Sequence, residues 1–153
     1  LWGSEANQFS ARNPAGPSSL LSLVGDPSGF LASQTRPGGI SVLGAGDPSS
    51  EGLSVFPDQR LLLLGGDVSV NGGVLRARGG RIEIGAIAGA GTIGLDLNTT
   101  DVSLQFPDNV ARANVFFDRG FAITNATTGD GGDIAIQAGT IRLTNFTQLQ
   151  AIA

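Results

Sequence analysis

Between Leu61 and Ile84 the chain reads LLLLGGDVSVNGGVLRARGGRIEI, four short apolar or alternating runs broken by Gly-Gly or Asn-Gly-Gly. In Asp67-Val68-Ser69-Val70 and in Arg81-Ile82-Glu83-Ile84 every second residue is β-branched and apolar. Leu75 and Ala77 alternate with Arg76 and Arg78 in the same way. A period of two sends successive side chains to opposite faces, so each run predicts a strand with one buried face. None has the length or spacing of a helix. The four consecutive leucines, Leu61 to Leu64, predict burial on both faces, with the preceding segment covering the outer one.

The unit repeats. Gly65-Gly66-Asp67-Val68-Ser69-Val70 is echoed by Gly79-Gly80-Arg81-Ile82-Glu83-Ile84 and by Gly131-Gly132-Asp133-Ile134-Ala135-Ile136, at intervals of 14 and 52 residues. Unequal intervals exclude a rigid-period solenoid and suit an irregular winding with loops of variable length. A coil of roughly 20 residues stacked about 4.8 Å above the last is a parallel β-helix. The expected fold class is therefore all-β, a right-handed parallel β-helix (β-solenoid) with an irregular Pro-rich N-terminal extension. Further strands are expected at Leu53–Phe56, Thr92–Leu97, Val102–Phe106, Ala113–Phe117, Phe121–Thr124, Asp133–Ala138 and Thr140–Thr144, joined by Gly-, Asn- or Asp-rich loops.

Residues 1–52 differ in character and form the expected extension, with residues 53–153 as the helix segment. Six of the seven prolines fall before Arg60, and each interrupts a ladder it would enter. Ser19–Val24, Phe30–Ala32 and Ile40–Leu43 survive as short apolar pieces laid against the main body. Asp26-Pro27 predicts one helical turn through Phe30, with Asp as cap and Pro at the first position. Trp2 reads as a terminal packing residue.

Composition narrows the classes. With Gly at 24 of 153 residues and charged residues at only 14%, backbone turns rather than ion pairs dominate the design. The net charge of −4 argues against nucleic acid or an anionic membrane as partner. All nine basic residues are Arg, which by itself assigns nothing. Without Cys there are no disulfides, thiol nucleophiles or zinc-thiolate sites, and without His the commonest neutral-pH base is missing. No apolar run reaches the ~18 residues of a membrane helix. The N-terminus carries no signal-peptide pattern, and the sequence reads as a piece of something longer.

Candidate chemistry is sparse. Asp130-Gly131-Gly132-Asp133 superficially suggests a calcium-binding repeat, but such sites need the unit in tandem, so it reads as a tight turn with solvated carboxylates. Asp96 with Asp101, or Asp130 with Asp133, would make an acid–base pair if held about 5–9 Å apart. All four sit at expected turns, where Asp serves turn chemistry alone. No catalytic, cofactor-binding or metal-binding residue is assigned, and no cofactor is expected. Arg76, Arg78 and Arg81 form a basic cluster on the outward face that would suit acidic glycans or a partner surface, but Asp67 and Glu83 are expected to compensate it on adjacent coils, as cross-strand pairs do. Asn98, Asn125 and Asn145 head Asn-X-Thr sequons, read here as exposed turns.

The run GGDVSVNGGVLRARGGRIEIG, followed by Ser103-Leu104-Gln105-Phe106-Pro107-Asp108-Asn109-Val110 and by GDGGDIAIQAGTIRLTN, resembles filamentous-haemagglutinin-like exoproteins. More narrowly it resembles the segment just after their N-terminal secretion domain. The likeness is good from Leu53 to Ala153 and fainter from Asn7 to Ile40. It implies a large protein exported by a dedicated outer-membrane β-barrel transporter, the two-partner secretion route, and secreted or held at the surface of a Gram-negative-type bacterium. Asn13-Pro14-Ala15-Gly16 keeps only two residues of the Asn-Pro motif of the secretion domain, so transporter recognition is not assigned there and the chain is expected to be stalk. The expected function is a structural or adhesive segment with an unknown receptor or glycan. The alternative is a polysaccharide-active β-helix enzyme. An uncapped coil end also predicts end-to-end self-association.

Overall fold

The computed structural model describes residues 28–33, 35–98, 101–126 and 130–152. Among them the chain forms fourteen strands and no helix. The first, β1 (Gly29–Ala32), is followed by β2 (Ile40–Leu43), β3 (Leu53–Ser54) and β4 (Arg60–Gly65). The central stretch supplies β5 (Val68–Asn71), β6 (Val74–Arg76) and β7 (Arg81–Ala86). Next come β8 (Gly91–Asn98), β9 (Asp101–Gln105), β10 (Asn114–Asp118), β11 (Phe121–Ile123), β12 (Asp133–Gln137), β13 (Thr140–Thr144) and β14 (Gln148–Gln150).

Eleven of these strands build three parallel sheets. They are ordered β2-β5-β10-β13, β3-β6-β11-β14 and β4-β7-β12, and the chain visits them in that order on successive turns. Register keeps like residues stacked. Ile40, Val68, Val115 and Ile141 form one column, and Val42, Val70, Phe117 and Leu143 the next. Leu53, Leu75, Ala122 and Leu149 align in the second sheet. Leu61, Ile82 and Ile134 align in the third. The period-2 alternation turns these columns inward, where one core cluster gathers Val68, Val70, Leu75, Ala77, Ile82, Ile84, Val115 and Phe117.

The repeated Gly-Gly has a steric cause at the corner leading into the third sheet. A Cβ on Gly80 would run into the carbonyl oxygen of Gln59 one turn away, and a Cβ on Gly132 into that of Gly80. The neighbouring Gly79 sits at φ 65°, the left-handed region that glycine enters without strain. Asp58 takes the same conformation, φ 61°, on the preceding turn.

The remaining strands depart from the winding. β8 lies between β1 and β9 and runs antiparallel to both, with Phe30 opposite Ile93 and Leu95 opposite Leu104. This sheet carries a second apolar cluster of Ile87, Ile93, Leu104 and Val110, joined by Phe30, Ala32, Leu62, Leu64, Leu95 and Phe106. The leucine run is therefore used on both faces. Leu61 and Leu63 pack inward, while Leu62 and Leu64 pack under the antiparallel sheet. The hairpin β8–β9 does most of the covering, and the N-terminal segment contributes Phe30 and Ala32.

One expectation is corrected. Gly29 and Phe30 are not in a helical turn but in β1, because the hairpin offers β1 an edge to pair with; Asp26 and Pro27, like Ser19–Val24 and Trp2, lie outside the described residues.

Candidate functional site

The outward arginines of the central stretch lie beside a groove. Its floor forms where residues 51–60 cross the end of β6, held there by backbone bonds from Val55 N–H to the Arg76 carbonyl (3.0 Å) and from Asp58 N–H to the Arg78 carbonyl (2.8 Å). Val55 packs against the core, and Phe56 next to it points outward, where it is 84% exposed. Pro57 and Asp58 then turn the chain into β4, which begins at Arg60. The resulting groove, about 620 Å³, is lined by Arg60, Arg76, Arg78, Phe56 and Glu51, among others.

Arg76 is held rigidly. Its Nη2 donates to the carbonyl oxygens of Pro48 (2.7 Å) and Ser50 (3.1 Å). That loop is itself fixed by Asp47, whose Oδ1 accepts from the Ser49 hydroxyl (2.7 Å) and the Ser49 N–H (2.8 Å). These two bonds, the hydroxyl first, hold the Asp47 carboxyl below its usual range. The Arg76 Nε is shut off from water and has no hydrogen-bond partner. Among the described residues no carboxylate lies within ion-pair distance of Arg76 or Arg78.

Arg81 behaves differently from its expected partners in the cluster. Its Nε lies 3.4 Å from Glu83 Oε2 and its Nη1 lies 3.4 Å from Asp133 Oδ2, one turn along. Compensation by Glu83 thus reaches Arg81 alone. Asp67 instead accepts from the Asn114 N–H at 2.9 Å, bridging adjacent turns. Arg60 takes the place of Arg81 beside Arg76 and Arg78. Sequence reasoning missed Arg60 and Phe56, although the outward parity of Phe56 was readable from Leu53 and Val55.

Asp96 and Asp101 share the β8–β9 ladder, with Asp101 opposite Asn98, two places from Asp96, whereas Asp130 and Asp133 lie at the approach to β12 and at its first residue. Asp96 lies on β8 in the antiparallel sheet, opposite Ser103. Asp133 opens β12 in a parallel sheet and is engaged by Arg81, and Asp130 is exposed at a bend before it. Asp101 belongs to β9, and its side chain lies outside the described residues. Among the described residues no group of three or more His, Cys, Asp or Glu is placed to hold a metal ion. Of the sequon residues, Asn125 donates to Gln150 Oε1 (3.2 Å) and Asn145 to Asp118 Oδ1 (2.6 Å), so both tie neighbouring turns together.

The family model of the TPS (two-partner secretion) secretion domain matches residues 3–143. The chain belongs to this family and is part of a two-partner secretion exoprotein, a secreted protein whose export involves a partner transporter. No curated protein and no solved structure matches it. The match also moves the chain's expected place. It falls on the secretion domain itself and runs through Asn13-Pro14-Ala15-Gly16, rather than on a stalk segment downstream. The Gly-rich strand repeats carried the likeness, and they extend through the matched domain.

Proposed function

We propose that this chain is the secretion domain of a haemagglutinin-like adhesin, folded as a right-handed parallel β-helix. In this reading a dedicated outer-membrane transporter engages the domain, and the domain starts a rod that holds adhesive surface outside the cell. The observation that carries the reading is the column register of the three parallel sheets, taken together with the family match. Each turn hydrogen-bonds the one before it, so the same plan extends into a rigid rod with little new sequence information. The polysaccharide-cleaving alternative needs Asp96 with Asp101, or Asp130 with Asp133, to act as an acid–base pair, and an assay for released sugar decides it.

The test uses the full exoprotein, produced with and without its transporter and collected from the medium. The expected result is release only when the transporter is present, and binding to erythrocytes and epithelial cells without liberation of sugar from polysaccharides. Release without the transporter would overturn the export reading. Failure to bind cells, or polysaccharide cleavage, would overturn the adhesive one.

A further inference from the structure

Among the described residues, Arg76 and Arg78 stand apart in electrostatic terms. The chain carries a net charge of −4, and Arg81, only three positions beyond Arg78, is matched by two carboxylates. Arg76 and Arg78 face a groove with no carboxylate within ion-pair distance among the described residues. Arg76 is moreover positioned in advance by the Pro48 and Ser50 carbonyls, which are neutral acceptors and leave its charge uncancelled. At the same groove Phe56 exposes nearly all of its ring, although nothing in the alternation of β3 requires a large aromatic side chain outside.

We propose that the groove lined by Arg60, Arg76, Arg78 and Phe56 binds an acidic oligosaccharide, with an anionic group of the sugar on the arginines and a sugar ring against Phe56. Guanidinium forks match carboxylate and sulfate oxygens in a planar, two-bond geometry, which favours an anion over a neutral sugar. The exposed Phe56 ring supplies an apolar platform beside them. The inference rests on the groove alone and does not depend on the adhesive reading of the whole exoprotein.

The experiment is calorimetric titration of the intact chain with three probes: a galacturonate tetrasaccharide, a heparin-derived tetrasaccharide and an uncharged galactan tetrasaccharide. Binding of an acidic probe, weakened by added salt and absent for the neutral one, is the expected result. Tighter binding of the heparin probe than of the galacturonate probe shows that sulfate is preferred, and the reverse shows that carboxylate suffices. Arg78→Gln, at an exposed side chain, is expected to weaken binding about tenfold or more. Phe56→Ala is expected to weaken it severalfold for the same probe. Arg112→Gln, on the remote face where Arg112 lies 5.5 Å over the Phe106 ring, is expected to leave binding unchanged. Circular dichroism and melting of each variant separate lost binding from lost folding, and Arg78→Lys is expected to keep part of the affinity that Arg78→Gln loses. Absence of binding, equal losses from Arg78→Gln and Arg112→Gln, or indifference to Phe56→Ala would each overturn the proposal.

Discussion

At the scale of single residues, Glu83 shows how one carboxylate can join two layers. It occupies an outward position of β7, yet it is only 2% exposed because the antiparallel sheet lies over it. Its Oε1 accepts from the Leu104 N–H at 2.8 Å, which pins β9 to the winding, and its Oε2 faces Arg81. Glu83→Ala leaves the Leu104 N–H buried and unpaired, and the expected loss is about 1–3 kcal/mol of stability by urea denaturation. Glu83→Gln keeps an oxygen at that place and is expected to lose clearly less. Equal losses for the two variants would show that the bond to Leu104 contributes nothing special. From sequence alone Glu83 looked like a compensating partner for the arginines on the outer face, since alternation tells which face a residue takes but not what lies on that face. The same limit separated Arg81 from Arg76 and Arg78: all three are outward by parity, and only the arrival of Asp133 one turn later distinguishes them.

At the scale of elements, glycine sets the stacking distance. Gly80 and Gly132 follow one another up the same corner, each facing a carbonyl of the neighbouring turn. Gly80→Ala and Gly132→Ala must push two turns apart, with an expected cost of about 1–3 kcal/mol each or more. Gly89 provides the contrast, because a Cβ there meets nothing within 4 Å. Gly89→Ala is expected to raise stability by about 0.4–1 kcal/mol by restricting the unfolded chain. Thermal melts of the three variants check the ranking. The repeated Gly-Gly and the doubly buried leucines were legible because each leaves a local mark in the sequence. The hairpin β8–β9 was not, since Thr92–Leu97 and Val102–Phe106 alternate just as the coil strands do, and period does not encode pairing direction. The interval of 52 residues between Gly79 and Gly131 was the available hint that the chain leaves the winding and returns. At Gly29 and Phe30 a local capping signature pointed to a helical turn, and a free sheet edge prevailed over it.

At the scale of the molecule, the interior columns run on without a cover. Ile141 and Leu143 continue the columns of Val115 and Phe117, which are fully buried, yet they are 47% and 48% exposed. No described strand pairs with the far side of β12, β13 or β14. Open ladder edges beside exposed apolar side chains favour pairing with another chain. Sedimentation velocity of the isolated chain is therefore expected to show association that grows with concentration. The double substitution Ile141→Glu and Leu143→Glu is expected to return it to monomer without unfolding it. A monomer at all concentrations before substitution would refute end-to-end pairing.

The antiparallel sheet also imposes an order in time on a chain delivered from its N-terminus. Winding alone asks each new turn to find only the turn just made, a local search that loop closure scarcely slows. Leu62, Leu64 and Glu83 break that simplicity, because their cover comes from β8 and β9, which follow them, and from β1, which precedes them and must wait for β8. Until residue 105 has emerged, the outer side of β4 and β7 stays wet and β1 has no partner. The hairpin therefore completes the cover over Leu62 and Leu64 only after the strands it covers have formed.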